Sequence, residues 1–126
     1  MVVIARRLFM QTPTSSILMF VVAALLGALG QFLYKAGADR TSEALTSYLL
    51  NPLLLGGVAC YIGVMVLFVA AFKRGGAMSV LYPIYASTFI WGALVAWLAF
   101  REPIRPVNVL GMVVLVAGML LMGWGK

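Results

Sequence analysis

The chain has 126 residues, of which 64% are hydrophobic and 10% are charged. Soluble domains have about 45–50% apolar and about 25% charged residues, so the composition excludes both a water-soluble globule and a disordered chain. Nine Lys and Arg against three Asp and Glu give a net charge of +6. Most of these charges lie between apolar blocks, as in the loops of a membrane protein, which argues against a nucleic-acid binder.

The residue types needed for most enzyme chemistry are missing. There is no histidine, and Cys60 is the single cysteine, which excludes His-based catalysis, an internal disulfide and a zinc site. The sequence holds no nucleophile–base pair and no cluster of metal ligands. We therefore expect a protein that is not an enzyme and uses no metal or cofactor.

Four apolar blocks are long enough to cross a membrane as helices. A spanning helix needs about 20 mostly apolar residues, and the blocks cover about 16–35, 52–73, 77–100 and 105–125. The runs are continuous and not alternating, which disfavours the strands of a barrel. The sequence thus predicts an all-α membrane protein, a single four-helix transmembrane domain over 1–126. So small a bundle has little interior, so we expect it to work as a dimer.

The segments outside these blocks are short and amphipathic. Residues 1–15 carry Arg6 and Arg7 among apolar side chains, which predicts an interfacial segment that lies on the lipid headgroups. The connection 37–51 is the longest. Its composition predicts an amphipathic turn at the surface, around Leu45, Tyr48 and Leu49.

Charged and amide side chains near the membrane are the first candidates for a binding site, because such groups are costly there unless paired or hydrated. Gln31 and Lys35 lie four positions apart and share a helix face. Glu102 closes the third helix beside Arg101. In one interpretation Lys35 faces an anion such as phosphate and Glu102 faces an amine. In the other, Lys35 is an interfacial anchor, and Glu102 pairs with Arg101 or Arg105 or caps the fourth helix before Pro103.

The third helix carries a dense set of polar and aromatic residues. Tyr82, Tyr85, Ser87 and Trp91 are candidates for lining a substrate path. Pro83 removes a backbone donor and kinks the helix, as transporters do at substrate sites. For each aromatic residue, packing or anchoring is the simpler alternative.

The fourth helix has a stripe of small residues. Gly111 and Gly118 lie seven positions apart with Leu115 between them, which predicts a seam for close helix contact. The pattern fits a dimer interface and intrachain packing equally well.

These motifs resemble the drug/metabolite transporter superfamily. The similarity lies in Tyr82-Pro83, in Glu102-Pro103 and in the glycine stripe of the last helix. The stretch Ala-Leu-Gly-Gln-Phe-Leu-Tyr-Lys-Ala from residue 28 resembles the small flippase subunits for aminoarabinose-phosphoundecaprenol. The small multidrug resistance proteins of the superfamily have a glutamate in the first helix, where this chain has Gly27.

The resemblance implies a flippase for an undecaprenyl-phosphate-linked sugar or aminosugar in lipid A or envelope glycan modification. It also implies a multi-pass protein of the bacterial inner membrane, acting as a homodimer or with a similar small subunit. Lys35 and Arg101 would hold the phosphate, and Glu102 the amine. Further sugar contacts would come from Gln31, Tyr82, Tyr85, Ser87 and Trp91. Alternatives are a small multidrug or cation exporter and a non-transporting membrane subunit.

Overall fold

The computed structural model describes residues 12–124, and the regular structure in that range is entirely helical. Three segments in it are long and apolar enough to cross a membrane, and a fourth apolar helix is shorter. The chain is therefore a multi-pass membrane protein whose described part is all-helical. In chain order the helices are α1 (Thr14–Ala38), α2 (Leu45–Leu49), α3 (Pro52–Arg74), α4 (Met78–Tyr85), α5 (Thr88–Phe100) and α6 (Pro106–Met122).

The predicted third helix, over 77–100, is interrupted in the structure. α4 ends at Tyr85 and α5 begins at Thr88. In the turn between them, Ala86 N donates to Pro83 O and Ser87 N donates to Ile84 O, both at 3.0 Å. These bonds reach back three residues and not four, so the helix tightens and breaks just after the proline, which lacks a backbone donor.

The ends of the predicted elements shift as well. The fourth helix, expected over 105–125, is the 17-residue α6, roughly 26 Å long, which is shorter than a hydrocarbon core of about 30 Å. The expected interfacial segment 1–15 falls mostly outside the described residues, and its last two, Thr14 and Ser15, belong to α1. Within the connection 37–51, the short helix α2 forms at the position of the predicted turn.

α1 occupies the centre of the bundle. It packs against α3 most extensively and also against α4 and α5, whereas α6 packs mainly against α4. The residues that α1 buries are mostly small, which lets the other helices come close. Those small residues are Ser16, Ala23, Ala24, Gly27, Ala28, Gly30 and Gly37.

An aromatic core joins α1, α3 and α4 near the start of α1. Phe20 is fully buried and stacks on Phe68 at 4.4 Å between ring centroids. Tyr85 meets Phe68 edge to face at 4.9 Å. Leu81 and Ala71 are also fully buried here. Stacked and edge-to-face rings add specificity to the packing, so this cluster fixes how α4 sits on the other two helices.

Polar side chains tie both ends of α1 to α3. The Ser16 hydroxyl lies 2.9 Å from the carbonyl oxygens of Ala71 and Gly75 and donates to one of them at a time. At the other end, Asn51 Nδ2 donates to Gly37 O at 2.8 Å. Both side chains are buried. Since buried polar groups need partners, these bonds set the register of α1 against α3.

We predict that Gly30→Ala destabilises the bundle. A Cβ at Gly30 would lie 2.8 Å from Tyr61 Cε2 and 3.3 Å from Cys60 Cβ, so α1 and α3 would have to separate. We expect a loss of about 1–3 kcal/mol in the free energy of unfolding, typical of overpacking. Thermal unfolding in one detergent measures it, with Gly92→Ala as the control, because nothing lies within 4 Å of a Cβ there. Equal stability of the two variants would contradict the close approach of α1 and α3.

Candidate functional site

A small groove between α1 and α5 contains three of the predicted site residues. We call it the charged groove; its volume is 190 Å³. Its walls include Gln31, Phe32, Lys35, Ala96, Phe100 and Glu102. Gln31 and Lys35 therefore do share one face of α1, as their spacing predicts.

The charges in this groove belong to one ion pair. Lys35 Nζ donates to Oε1 of Glu102, and each side chain is 50% exposed. The ammonium also lies 4.6 Å from the centroid of the Phe100 ring, a cation–π arrangement. Of the alternatives that the sequence left open for Glu102, a pair with Arg101 or Arg105 is not formed in the described residues. Glu102 pairs with Lys35.

The end of α5 positions Glu102. Arg101 has φ 56° and ψ 30°, a left-handed conformation that ends the helix. Glu102 N then donates to Ala96 O at 3.2 Å, which satisfies one of the last helix carbonyls. Glu102 is thereby fixed just beyond α5 and within reach of α1. The Arg101 side chain is exposed. It does not line this groove and is not part of the ion pair.

Gln31 has a partner that sequence analysis missed. Its Nε2 donates to the Tyr61 hydroxyl at 2.6 Å, and that hydroxyl lies 3.4 Å from Gly27 O. The Tyr61 ring stacks on Tyr34 with centroids 5.4 Å apart. The sequence signal for it is a lone tyrosine in the apolar run of α3. Tyr61 thus holds Gln31 at the wall of the charged groove.

The remaining aromatic and hydroxyl candidates lie outside the charged groove. Tyr85 packs over Gly27, where its hydroxyl would meet an added Cβ at 2.5 Å. Tyr82 is 58% exposed, and Trp91 is partly buried. The Ser87 hydroxyl oxygen, at the turn between α4 and α5, is buried with no hydrogen-bond partner among residues 12–124. The structure therefore does not gather these four residues around the ion pair.

A second and larger groove runs between α5 and α6. We call it the apolar groove; its volume is 530 Å³, and Glu102 lies in its wall as well as in that of the charged groove. Gly111 and Leu115 of the predicted seam line it. A Cβ at Gly111 or Gly118 would meet nothing within 4 Å. The glycine stripe is therefore not used for packing within the described chain.

We predict an energetic coupling between Gln31 and Tyr61. Tyr61→Phe keeps the ring stack and removes the hydroxyl, so Gln31 loses its acceptor. The expected coupling is about 0.5–1.5 kcal/mol in the free energy of unfolding, the usual value of one hydrogen bond. A double-mutant cycle with Gln31→Ala measures the coupling. Tyr34→Phe is the control, since it removes a hydroxyl from the same ring stack. Additive effects of Tyr61→Phe and Gln31→Ala would show that the bond contributes nothing.

Comparison with known proteins gives no further guide. No family model, curated protein or solved structure matches this chain. Three helical segments able to span a membrane, with a shorter apolar helix beside them, make this chain a multi-pass membrane protein.

Proposed function

We propose that the chain is a flippase that moves an undecaprenyl-phosphate-linked sugar, with an amine on the sugar, across the bacterial inner membrane. Such a flippase would serve lipid A or envelope glycan modification. The observation that supports this most directly is the Lys35–Glu102 pair in a groove at the end of the bundle. An ammonium and a carboxylate side by side match a headgroup that carries a phosphate and an amine.

In this proposal the ligand binds by replacing the Lys35–Glu102 ion pair with ion pairs to its own charges. Without ligand, Lys35 and Glu102 neutralise one another, so neither charge is left alone beside the apolar bundle. A ligand with one charge would leave the other protein charge unpaired, which is costly where water is scarce. A ligand with both charges replaces one ion pair by two. The geometry thus favours an aminosugar phosphate over a neutral sugar phosphate.

The groove also offers contacts for the sugar itself. A side-chain amide has two donor hydrogens and an acceptor oxygen. Gln31 can therefore bind Tyr61 and a sugar hydroxyl at the same time. The Phe100 side chain, which lines the groove, provides apolar surface for the sugar ring. Direct contacts in this proposal come from these residues, while Tyr82, Tyr85, Ser87, Trp91 and Arg101 lie outside the charged groove.

A second subunit is part of the proposal. α6 has no buried residue in the described chain, although it is apolar apart from Asn108. Small residues on an uncovered membrane helix allow another helix to approach closely. We infer that a second copy, or a similar small subunit, covers α6 around Gly118.

An exporter of lipophilic cations is the second candidate, because Glu102 also borders the apolar groove. A carboxylate beside an apolar cavity suits a cation with an apolar body. Against this, Lys35 already neutralises Glu102, and α1 contains no acidic residue. The flippase explains both charges, and the exporter explains only one.

We predict that Lys35→Ala and Glu102→Ala each abolish translocation of an undecaprenyl-phosphate aminosugar in liposomes. Each substitution removes one of the two charges that the headgroup needs. The amount of protein in the membrane should stay unchanged, because both side chains are half exposed and leave no cavity. Arg40→Ala, which removes an exposed charge from the loop near Lys35, is the control and should keep full activity.

Translocation that survives in both variants would contradict the assignment of this site. Transport of lipophilic cations by Lys35→Ala, with no movement of the lipid by the wild type, would instead favour the exporter. A purified wild-type protein that moves neither substrate would indicate a non-transporting subunit.

We predict that Gly118→Leu disrupts self-association. The added side chain meets nothing in its own chain, so the monomer should fold normally while a close helix contact is blocked. The mass of the protein–detergent particle, by light scattering, measures the change. Ala99→Leu, at an exposed position of α5, is the control. An unchanged particle mass for Gly118→Leu would place the subunit contact elsewhere.

A further inference from the structure

The apolar groove has the size and the lining of a binding site for a hydrocarbon chain. Its volume of 530 Å³ falls within the range of about 300–1,000 Å³ typical of ligand pockets. Side chains from α5 and α6 form its walls, among them Phe89, Ala93, Val107, Met112 and Leu115. Its polar members, Glu102 and Asn108, both lie where α5 ends and α6 begins. One end of the groove is thus polar and the remainder is apolar.

The polar end of this groove joins the charged groove. Glu102 and Ala96 belong to the walls of both. Lys35 reaches Glu102 from α1, so the ion pair stands at the junction of the two grooves. A molecule with a charged head at this junction would have its apolar part beside the apolar groove.

We infer that the apolar groove binds the part of the hydrocarbon chain nearest the headgroup, in the same lipid whose phosphate pairs with Lys35. This inference rests on the proposed function and adds the site of the chain, next to the headgroup. The groove is polar at Glu102 and apolar elsewhere, which matches an amphiphile whose headgroup lies at Glu102.

The dimensions of the apolar groove favour a flexible hydrocarbon chain as its occupant over a helix from a second copy of the protein. One turn of helix about 10 Å across occupies roughly 420 Å³, from a pitch of 5.4 Å. The groove extends from Asn108 to Leu115, about two turns of α6, within a volume of 530 Å³. A helix would cover such a groove without filling it. Space left unfilled there would lose dispersion contacts, which a flexible chain restores.

The chain's own helices do not close this groove. α6 packs mainly against α4 and only marginally against α5, although the two are adjacent in sequence. A Cβ at Gly111, in the groove wall, would meet nothing within 4 Å. Gly118 lies seven residues further along α6, roughly 10.5 Å away, and outside this groove. One helix therefore has room for the lipid chain at Gly111 and for a second subunit at Gly118.

The test compares two isoprenoid phosphates, one with a chain of eleven isoprene units and one with a single five-carbon unit. Binding of undecaprenyl phosphate and of isopentenyl phosphate is measured by native mass spectrometry on wild type, Gly111→Leu, Ala117→Leu and Lys35→Gln. Gly111→Leu projects a side chain into the groove. Ala117→Leu enlarges an exposed position of the same helix outside it. We expect Gly111→Leu to lower the affinity for undecaprenyl phosphate about tenfold. This is the effect expected when about two methylene groups of the chain are no longer buried.

The other variants separate this inference from the proposed function. Isopentenyl phosphate should bind to Gly111→Leu as tightly as to the wild type. Ala117→Leu should bind both phosphates with wild-type affinity. Lys35→Gln should bind both phosphates more weakly than the wild type does. Undecaprenyl phosphate binding that is unchanged in Gly111→Leu, or a loss of the oligomer in that variant alone, would overturn the inference. The headgroup site would then still stand. Binding of both phosphates that is independent of Lys35 would instead overturn the proposed function.

Discussion

The small residues along α1 are the constraint on which the rest of this structure depends. In a membrane, lipid tails are as apolar as leucine, so helices associate through close packing and hydrogen bonds. The buried Ala and Gly positions of α1 allow that packing with α3, α4 and α5 at once. The Ser16 and Asn51 side chains then fix the register at the two ends of α1. With α1 held in this way, the neighbouring helix ends have defined positions.

The ion pair is a consequence of that arrangement. Lys35 lies near the end of α1, and Glu102 follows the end of α5, so the packing of these two helices brings the charges together. The left-handed Arg101 completes the geometry by ending α5 one residue before Glu102. Tyr61, from α3, holds Gln31 one turn away. The charged groove is thus built from α1 and α5, and α3 supports it through Tyr61, because the small residues of α1 let both helices pack closely against it.

α6, in contrast to α1, is poorly packed within the chain. It is apolar, contains an open glycine stripe and buries none of its residues within the chain. Its loose association with α5 leaves the apolar groove, and its outer face is available to a second subunit. A helix that is apolar all round yet poorly packed in its own chain fits a role in contacts with lipid and with other helices. The proposed lipid and subunit sites both follow from this.

The sequence by itself determined the class of protein and the position of the apolar helices. It also determined that Gln31 and Lys35 share a helix face and that the helix is disturbed at Pro83. These features follow from hydropathy, helical spacing and proline, which all act locally. Only the tertiary structure decided that Lys35 pairs with Glu102, which lies 67 residues away, and that Tyr61 is the partner of Gln31. It also decided that α4 and α5 separate after Tyr85, and that Gly111 faces a groove while Gly30 touches another helix. The physical reason is that such pairings depend on how each helix is rotated and on which neighbour it meets. Glycines with the same local pattern on two apolar helices can therefore end in different surroundings.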